Sequence, residues 1–178
     1  LFDIVRKLPD DSEVELELGG SDGQLSLRSG QTFFSLASLP VEDFPSASEG
    51  DWSCEFQMPS GAICELIDRA RFVMSTEETR YYLNGIFLHE SNDENKVLRA
   101  VATDGHRLAQ AEINLPDGAE GMSSIIVPRK TVGEVRKLLE DTEGNIKITV
   151  SSNKIKFLIN NCSLTSKLID GSFPDYQR

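Results

Sequence analysis

Cysteine is scarce in this chain of 178 residues, and the three present, Cys54, Cys64 and Cys162, lie far apart with none in a C-x-x-C pair. That pattern excludes a zinc ribbon and a disulfide framework, and it is expected of a reducing, cytoplasmic setting in which each cysteine is a small buried apolar residue. Long hydrophobic runs are missing too. No stretch approaches the ~20 apolar residues that span a bilayer, so no membrane partner is expected. The opening Leu1-Phe2-Asp3 is no basic stretch followed by an apolar one, so no signal peptide is expected. It also lies inside an apolar pattern without an initiating Met, so the N-terminus reads as a cut. A phosphate-cradling glycine loop, a metal-ligand cluster and a nucleophile elbow are all absent. Neither cofactor nor metal is therefore expected, and no catalytic residue can be named.

Positive charge is in deficit, with 18 Lys and Arg against 29 Asp and Glu and a net charge of −11. Such a chain repels phosphates at long range. Salt screens charges beyond about 8–10 Å, however, so one basic face is enough to bind nucleic acid. What the chain has is apolar content, 39%, enough for a packed core.

It also has a repeat. Val5-Arg6-Lys7-Leu8 returns as Val135-Arg136-Lys137-Leu138, and Leu39-x4-Phe44-Pro45 returns as Leu168-x4-Phe173-Pro174, each about 130 residues on. Between the anchors, alternating Val14, Leu16 and Leu18 answer Ile146, Ile148 and Val150. A finer period lies inside. Trp52, Cys54, Phe56 and Met58 alternate as a strand. Helical spacing follows at Ile63, Leu66, Ile67, Ala70, Val73 and Met74, then three strands at 83–90, 96–103 and 106–113, with Asn92-Asp93 and Asp104-Gly105 as turns. The plan recurs as a strand at 124–127, a helix over 131–140 started by Pro128, and strands at 145–150, 154–159 and 162–168, the last two joined by Asn160-Asn161. Residues 1–39 follow it without the leading strand: a helix to Leu8, then strands near 13–18, 24–29 and 31–38. Small polar residues at Ser46–Gly50 suggest a boundary. The fold class is α+β, with repeated βαβββ modules and helices on one face of antiparallel sheets.

Three features carry functional content, each beside a plainer reading. On the helix over 131–140, Lys130 and Lys137 point away from Val132, Val135 and Leu139, as a phosphate-facing or merely solvated face would. Arg80-Tyr81-Tyr82-Leu83-Asn84-Gly85 sets a cation beside two stacking rings, or else one tyrosine is core and Asn84-Gly85 is a bulge. Thr103-Asp104-Gly105-His106-Arg107-Leu108 is a hairpin turn in which Asp-Gly supplies positive φ, or an acid–base pair of Asp104 and His106 that lacks a nucleophile and an orienting group.

These two motifs, with Val127-Pro128-Arg129-Lys130 and Ser166-Lys167-Leu168-Ile169-Asp170-Gly171-x-Phe173-Pro174-Asp175-Tyr176, resemble the bacterial DNA polymerase III beta subunit family, the sliding clamps. They come in the family's order, and the resemblance covers essentially the whole chain. It implies a DNA-clamp fold, with residues 1–49 as the C-terminal half of clamp domain 1 and residues 50–178 as the middle domain. It implies a homodimeric ring in the full-length protein, basic helices inside and an acidic exterior, threaded by double-stranded DNA without regard to sequence. It implies a non-catalytic processivity factor whose partners are the DNA polymerase III alpha subunit, the clamp loader and other clamp-binding-motif proteins. Partner peptides would dock at Leu83, Thr103, Gly105, His106, Arg107 and Leu108, with Leu83 and Leu108 as the floor and the rest of the pocket beyond Arg178. DNA would meet Arg80, Tyr81, Tyr82, Arg129, Lys130, Arg136, Lys137 and Lys7. Glu77 stands where some members carry glutamine.

Overall fold

A computed structural model describes residues 1–19, 23–44, 51–91 and 95–177. The turn expected at Asn92-Asp93 and the boundary expected at Ser46–Gly50 lie outside the described residues. Two units separate, Leu1–Ser48 and Glu49–Arg178.

In the first unit a single helical turn, α1 (Phe2–Val5), precedes three antiparallel strands, β1 (Glu15–Leu18), β2 (Gln24–Ser29) and β3 (Thr32–Ala37), in the order β1-β2-β3. The helix stops short of the expected Leu8. Lys7 N and Leu8 N bond to Ile4 O and Val5 O, three residues back, so the chain tightens into turns ahead of Pro9, which cannot donate. Lys7 therefore lies beyond α1, whereas Lys137 lies within its helix. Leu27 is buried, while Leu16, Leu18 and Phe33 are exposed.

The second unit holds β4 (Cys54–Pro59), α2 (Ser60–Ala70), β5 (Gly85–Glu90), β6 (Val97–Thr103) and β7 (Leu108–Asn114), then β8 (Ile125–Pro128), α3 (Arg129–Leu138), β9 (Asn145–Val150), β10 (Lys154–Ile159) and β11 (Cys162–Lys167). The order is βαβββ twice, as the apolar periods indicate. The pairing is not modular. The sheets run β11-β10-β9-β4 and β7-β6-β5-β8, so each leading strand joins the other module's sheet.

The exchange is symmetric down to single bonds. Pro59 opposes Asn145, and Pro128 opposes Gly85. Each proline ends its strand and caps the helix that follows without a linker. The first amide of α2, Ser60 N, bonds Gly144 O at 2.8 Å, and that of α3, Arg129 N, bonds Asn84 O at 2.8 Å. Each helix thus has a donor that no intrahelical carbonyl can satisfy, and the other module supplies the acceptor. Gly85 is not the bulge considered above but the first in-register pair of β5 and β8. A Cβ there would overlap the Val127 carbonyl.

Register turns Phe56 and Met58 of β4 to the side of Ile148 and Ile146 of β9. One buried cluster then joins these residues to Ile86, Leu88 and Ala100 and to Leu66, Val132 and Val135 of the helices. The same alternation sends Lys147, Lys154, Lys156 and Lys167 to the outward face of β9–β11, across from Glu55 of β4. This outward face carries lysines because the core takes every second residue and leaves these outside.

The cysteines are not all buried. Cys54 and Cys64 are partly buried, and Cys162 is exposed as the first residue of edge strand β11. Strand β7 starts at Leu108 rather than His106. A four-residue loop, Asp104–Arg107, links the paired Thr103 and Leu108, and within it only Gly105 has positive φ, 89°.

Ile148, fully buried on β9 between β10 and β4, tests the interlock. Ile148→Ala should cost about 2–5 kcal/mol in urea denaturation. It should also speed hydrogen exchange in β5 and β6 as much as in β9 and β10. Faster exchange confined to β9–β11 would contradict a single cooperative unit.

Candidate functional site

The Asp104–Arg107 turn is closed by the side chains that open it. Asp104 Oδ1 accepts from His106 N and Arg107 N, both at 3.0 Å, and Oδ2 accepts from Arg107 Nε at 2.9 Å. The Thr103 hydroxyl donates to Arg107 O at 2.7 Å and accepts from Gly105 N at 3.0 Å. Three donors converge on one carboxylate, and the amides of His106 and Arg107, followed by the Arg107 guanidinium, pull Asp104 down to a pKa of about 2. Asp104 is thus an anion at neutral pH that accepts from the backbone amide of His106, and no hydrogen bond joins it to the His106 ring. The acid–base pair is not assembled.

The turn's six expected pocket residues divide by exposure. Thr103 is buried, Leu108 is 46% exposed beside it as cross-strand partner, and Gly105, His106 and Arg107 are exposed. Leu83 is 3% exposed, so it supports the surface from beneath rather than forming an open floor.

Against this turn lies the tyrosine loop, a 3-10 segment over Glu78–Leu83 kinked at Arg80. Tyr81 and Tyr82 meet edge to face with centroids 5.8 Å apart. Neither is core, since Tyr81 is exposed and Tyr82 half-buried. Glu77 takes Arg80 in a fork, Nε to Oε2 at 2.9 Å and Nη2 to Oε1 at 2.6 Å, while Arg80 Nη1 lies over Gly105 where a Cβ would stand. A third segment touches the same loop. Gly171 abuts Tyr82, Phe173 stacks on Phe87 at 4.7 Å, and the Tyr176 hydroxyl lies 2.7 Å from His89 Nε2 and accepts from Arg99 at 3.3 Å. The spacing of Phe173 and Tyr176 thereby acquires a physical meaning, two rings seated on the outward face of the β5–β6 pair.

The helix cations differ from one another. Arg136 Nε lies 3.0 Å from both oxygens of Asp68, tying α3 to α2, and Lys137 pairs with Glu134 at 3.2 Å. Arg129 and Lys130 are exposed, with no ion pair among the described residues. They occupy the first turn of α3, where the helix dipole disfavours cations. A groove of about 450 Å³ brings Arg129 together with His106 and Arg107, alongside Arg71, Phe72 and Glu77. Nothing in the spacing of these residues announced that groove, because α3 and the β6–β7 turn meet only through the strand exchange. Lys7 lies in the other unit and is exposed.

Residues 57–175 match the family model of the DNA polymerase III beta subunit, central domain. The chain belongs to the DNA polymerase III beta subunit family. Residues 1–48 match the model of that subunit's N-terminal domain. The beta sliding clamp of Caulobacter vibrioides is 48% identical over 179 residues, covering all of this chain and 48% of that protein. That of Escherichia coli K12 is 40% identical over 178 residues, 99% of this chain and 47% of that protein. A sliding clamp from Bartonella birtlesii, solved bound to griselimycin, superposes with a TM-score of 0.89 at 48% identity over 99% of this chain and 47% of that one. The chain thus spans about half the length of these relatives, and its α+β architecture is the sliding-clamp fold.

Gly105→Ala should cost more than about 1 kcal/mol, because φ is positive and the new methyl meets Arg80; equilibrium denaturation measures this, and an unchanged midpoint would contradict it. For Asp104, the folded pKa lies below the ordinary value of 3.8, so its contribution to the turn is full above about pH 4 and lost as pH falls towards about 2. Titrating its carboxyl carbon by NMR should give a midpoint near 2, and a midpoint of 4 would rule out the closed turn.

Proposed function

We propose that this chain is part of a ring-shaped DNA replication processivity factor. Residues 1–49 are read as the C-terminal half of its first domain and residues 50–178 as its middle domain. The observation that carries the reading is the pair Arg129 and Lys130, exposed and without a carboxylate partner among the described residues, in the first turn of α3, where cations are disfavoured. A local cost of that kind marks a surface shaped by what it binds. The polyanion that fits is duplex DNA, held by encirclement rather than by tight contact. Few phosphate contacts then suffice, and the chain's net −11 does not prevent passage. Lys137 and Arg136 add positive field on the same helix, although their heads are paired with Glu134 and Asp68. Tyr81 and Tyr82 offer rings to DNA from the adjoining loop, and Lys7 is assigned the equivalent role in the first unit.

The turn carries the second half of the reading. Thr103, Gly105, His106, Arg107 and Leu108, underlain by Leu83, make one wall of a pocket for short linear motifs, with polar rim groups around an exposed leucine. The DNA polymerase III alpha subunit, the clamp loader and other clamp-binding-motif proteins are the partners. The full-length protein is a cytoplasmic homodimer without catalytic activity of its own.

The full-length protein carrying this sequence should stay on circular DNA and leave once the circle is cut; equal retention on both would rule out encirclement. Lys130→Glu is the sharper variant. An acid in the first turn suits the dipole, so the thermal midpoint should hold or rise, by at most about 1 kcal/mol of stability, while loading and retention on DNA fall. Unchanged loading in Lys130→Glu and Lys137→Glu would favour a protein-interaction module with no role on DNA.

A further inference from the structure

The geometry points to Arg80 as a positioning residue that holds the Asp104–Arg107 turn in shape, not a phosphate ligand, with Glu77 as the residue that locks it. This rests on reading that turn as part of the partner-peptide pocket.

Arginine can grip an oxyanion along either of two edges of its plane, through Nε with Nη2 or through Nη1 with Nη2. In Arg80 the edge made by Nε and Nη2 is taken by both oxygens of Glu77. The second edge runs through Nη1, which lies against Gly105, and only 31% of the side chain is exposed. Glu77 is itself anchored. Its amide donates to Ser75 Oγ at 3.1 Å, and its carbonyl accepts from Asn84 Nδ2 at 3.0 Å. The segment over Ser75–Asn84 is therefore closed on itself, and it pushes one rigid guanidinium plane against the apex of the turn.

Gly105 completes the argument from the other side. Positive φ alone would be met by a glycine with open space around it, as at Gly30 and Gly121, where nothing lies near a Cβ. At Gly105 the space is filled by Arg80 instead. The tyrosine loop and the turn are thus two halves of one contact. Arg80 is 31% exposed and Glu77 54%, so solvent screens the ion pair and its effect is geometric more than energetic. Detaching Arg80 should loosen His106 and Arg107 where the peptide backbone would be gripped, and a rim that is loose by an ångström binds poorly.

Three variants of the full-length protein separate this role from phosphate binding: Arg80→Ala, Arg80→Lys and Glu77→Gln. The first readout is hydrogen exchange at the amides of Gly105, His106 and Arg107. It should be at least severalfold faster in Arg80→Ala and Arg80→Lys, and faster to a smaller degree in Glu77→Gln, whose amide keeps one acceptor. The second is affinity for a fluorescently labelled clamp-binding-motif peptide, expected to fall about tenfold in Arg80→Ala. Lysine keeps the charge without the fork, so Arg80→Lys should not restore it. The third is the salt dependence of binding to a short duplex. Loss of a phosphate ligand lowers the slope by about one. Lys130→Ala should show that change and Arg80→Ala should not.

Unchanged amide exchange in Arg80→Ala overturns the proposal, as does a salt slope lowered to the same extent as by Lys130→Ala. Should the unaltered protein fail to bind the peptide, or Lys130→Ala leave the slope flat, the pocket or DNA reading fails on its own. The exchange arm still decides what Arg80 does.

Discussion

Two strand pairings, β4 with β9 and β8 with β5, organise the second unit. Each leading strand ends in a proline and turns straight into its helix, so neither strand can be moved without moving the helix behind it. The exchanged pairing gives each helix the carbonyl that its first amide lacks. It also sends the apolar residues of β4 into a core shared with β9, β10, α2 and α3. Two modules that look independent along the chain are thereby one cooperative body. A plain side-by-side stack of modules would leave those amides to water.

The candidate site follows from that arrangement. Module exchange brings the start of α3 against the β6–β7 turn, so the groove holding Arg129, His106 and Arg107 draws on both modules. The turn itself owes little to hairpin propensity. It has four residues, one positive φ, and a carboxylate and a hydroxyl that together close it. A turn built from side-chain bonds presents its backbone and the side chains of His106 and Arg107 in one shape. The rings of Phe173 and Tyr176, seated on Phe87 and His89, hold this stretch of the chain beside the tyrosine loop.

Charge is distributed by the same geometry. The chain is acidic, yet the outward face of β9–β11 carries four lysines, and the start of α3 carries two cations without partners among the described residues. Arg136 and Lys137, which the repeat singled out together with Lys7, are held by Asp68 and Glu134. Net charge thus says little about what any one face would bind, because neighbours a few ångströms away decide whether a cation is available.

The periods of apolar residues determined the elements and their order. Strands β9, β10 and β11 lie within a residue of the alternation at Ile146–Val150, Ile155–Ile159 and Cys162–Leu168, since a half-buried strand has no other pattern open to it. The repeat and the motifs at Arg80–Gly85 and Ala102–Ala109 were likewise legible and pointed to the family. Tertiary structure alone decided which strand pairs with which, because alternation marks the face that is buried and not the partner across the ladder. It alone placed Leu83 beneath the surface, left Cys162 exposed at an edge, and ended α1 at Val5. It alone showed that Arg80 is engaged by Glu77 and seated on Gly105. Those outcomes depend on atoms brought together from distant parts of the chain, and a local pattern carries no record of them.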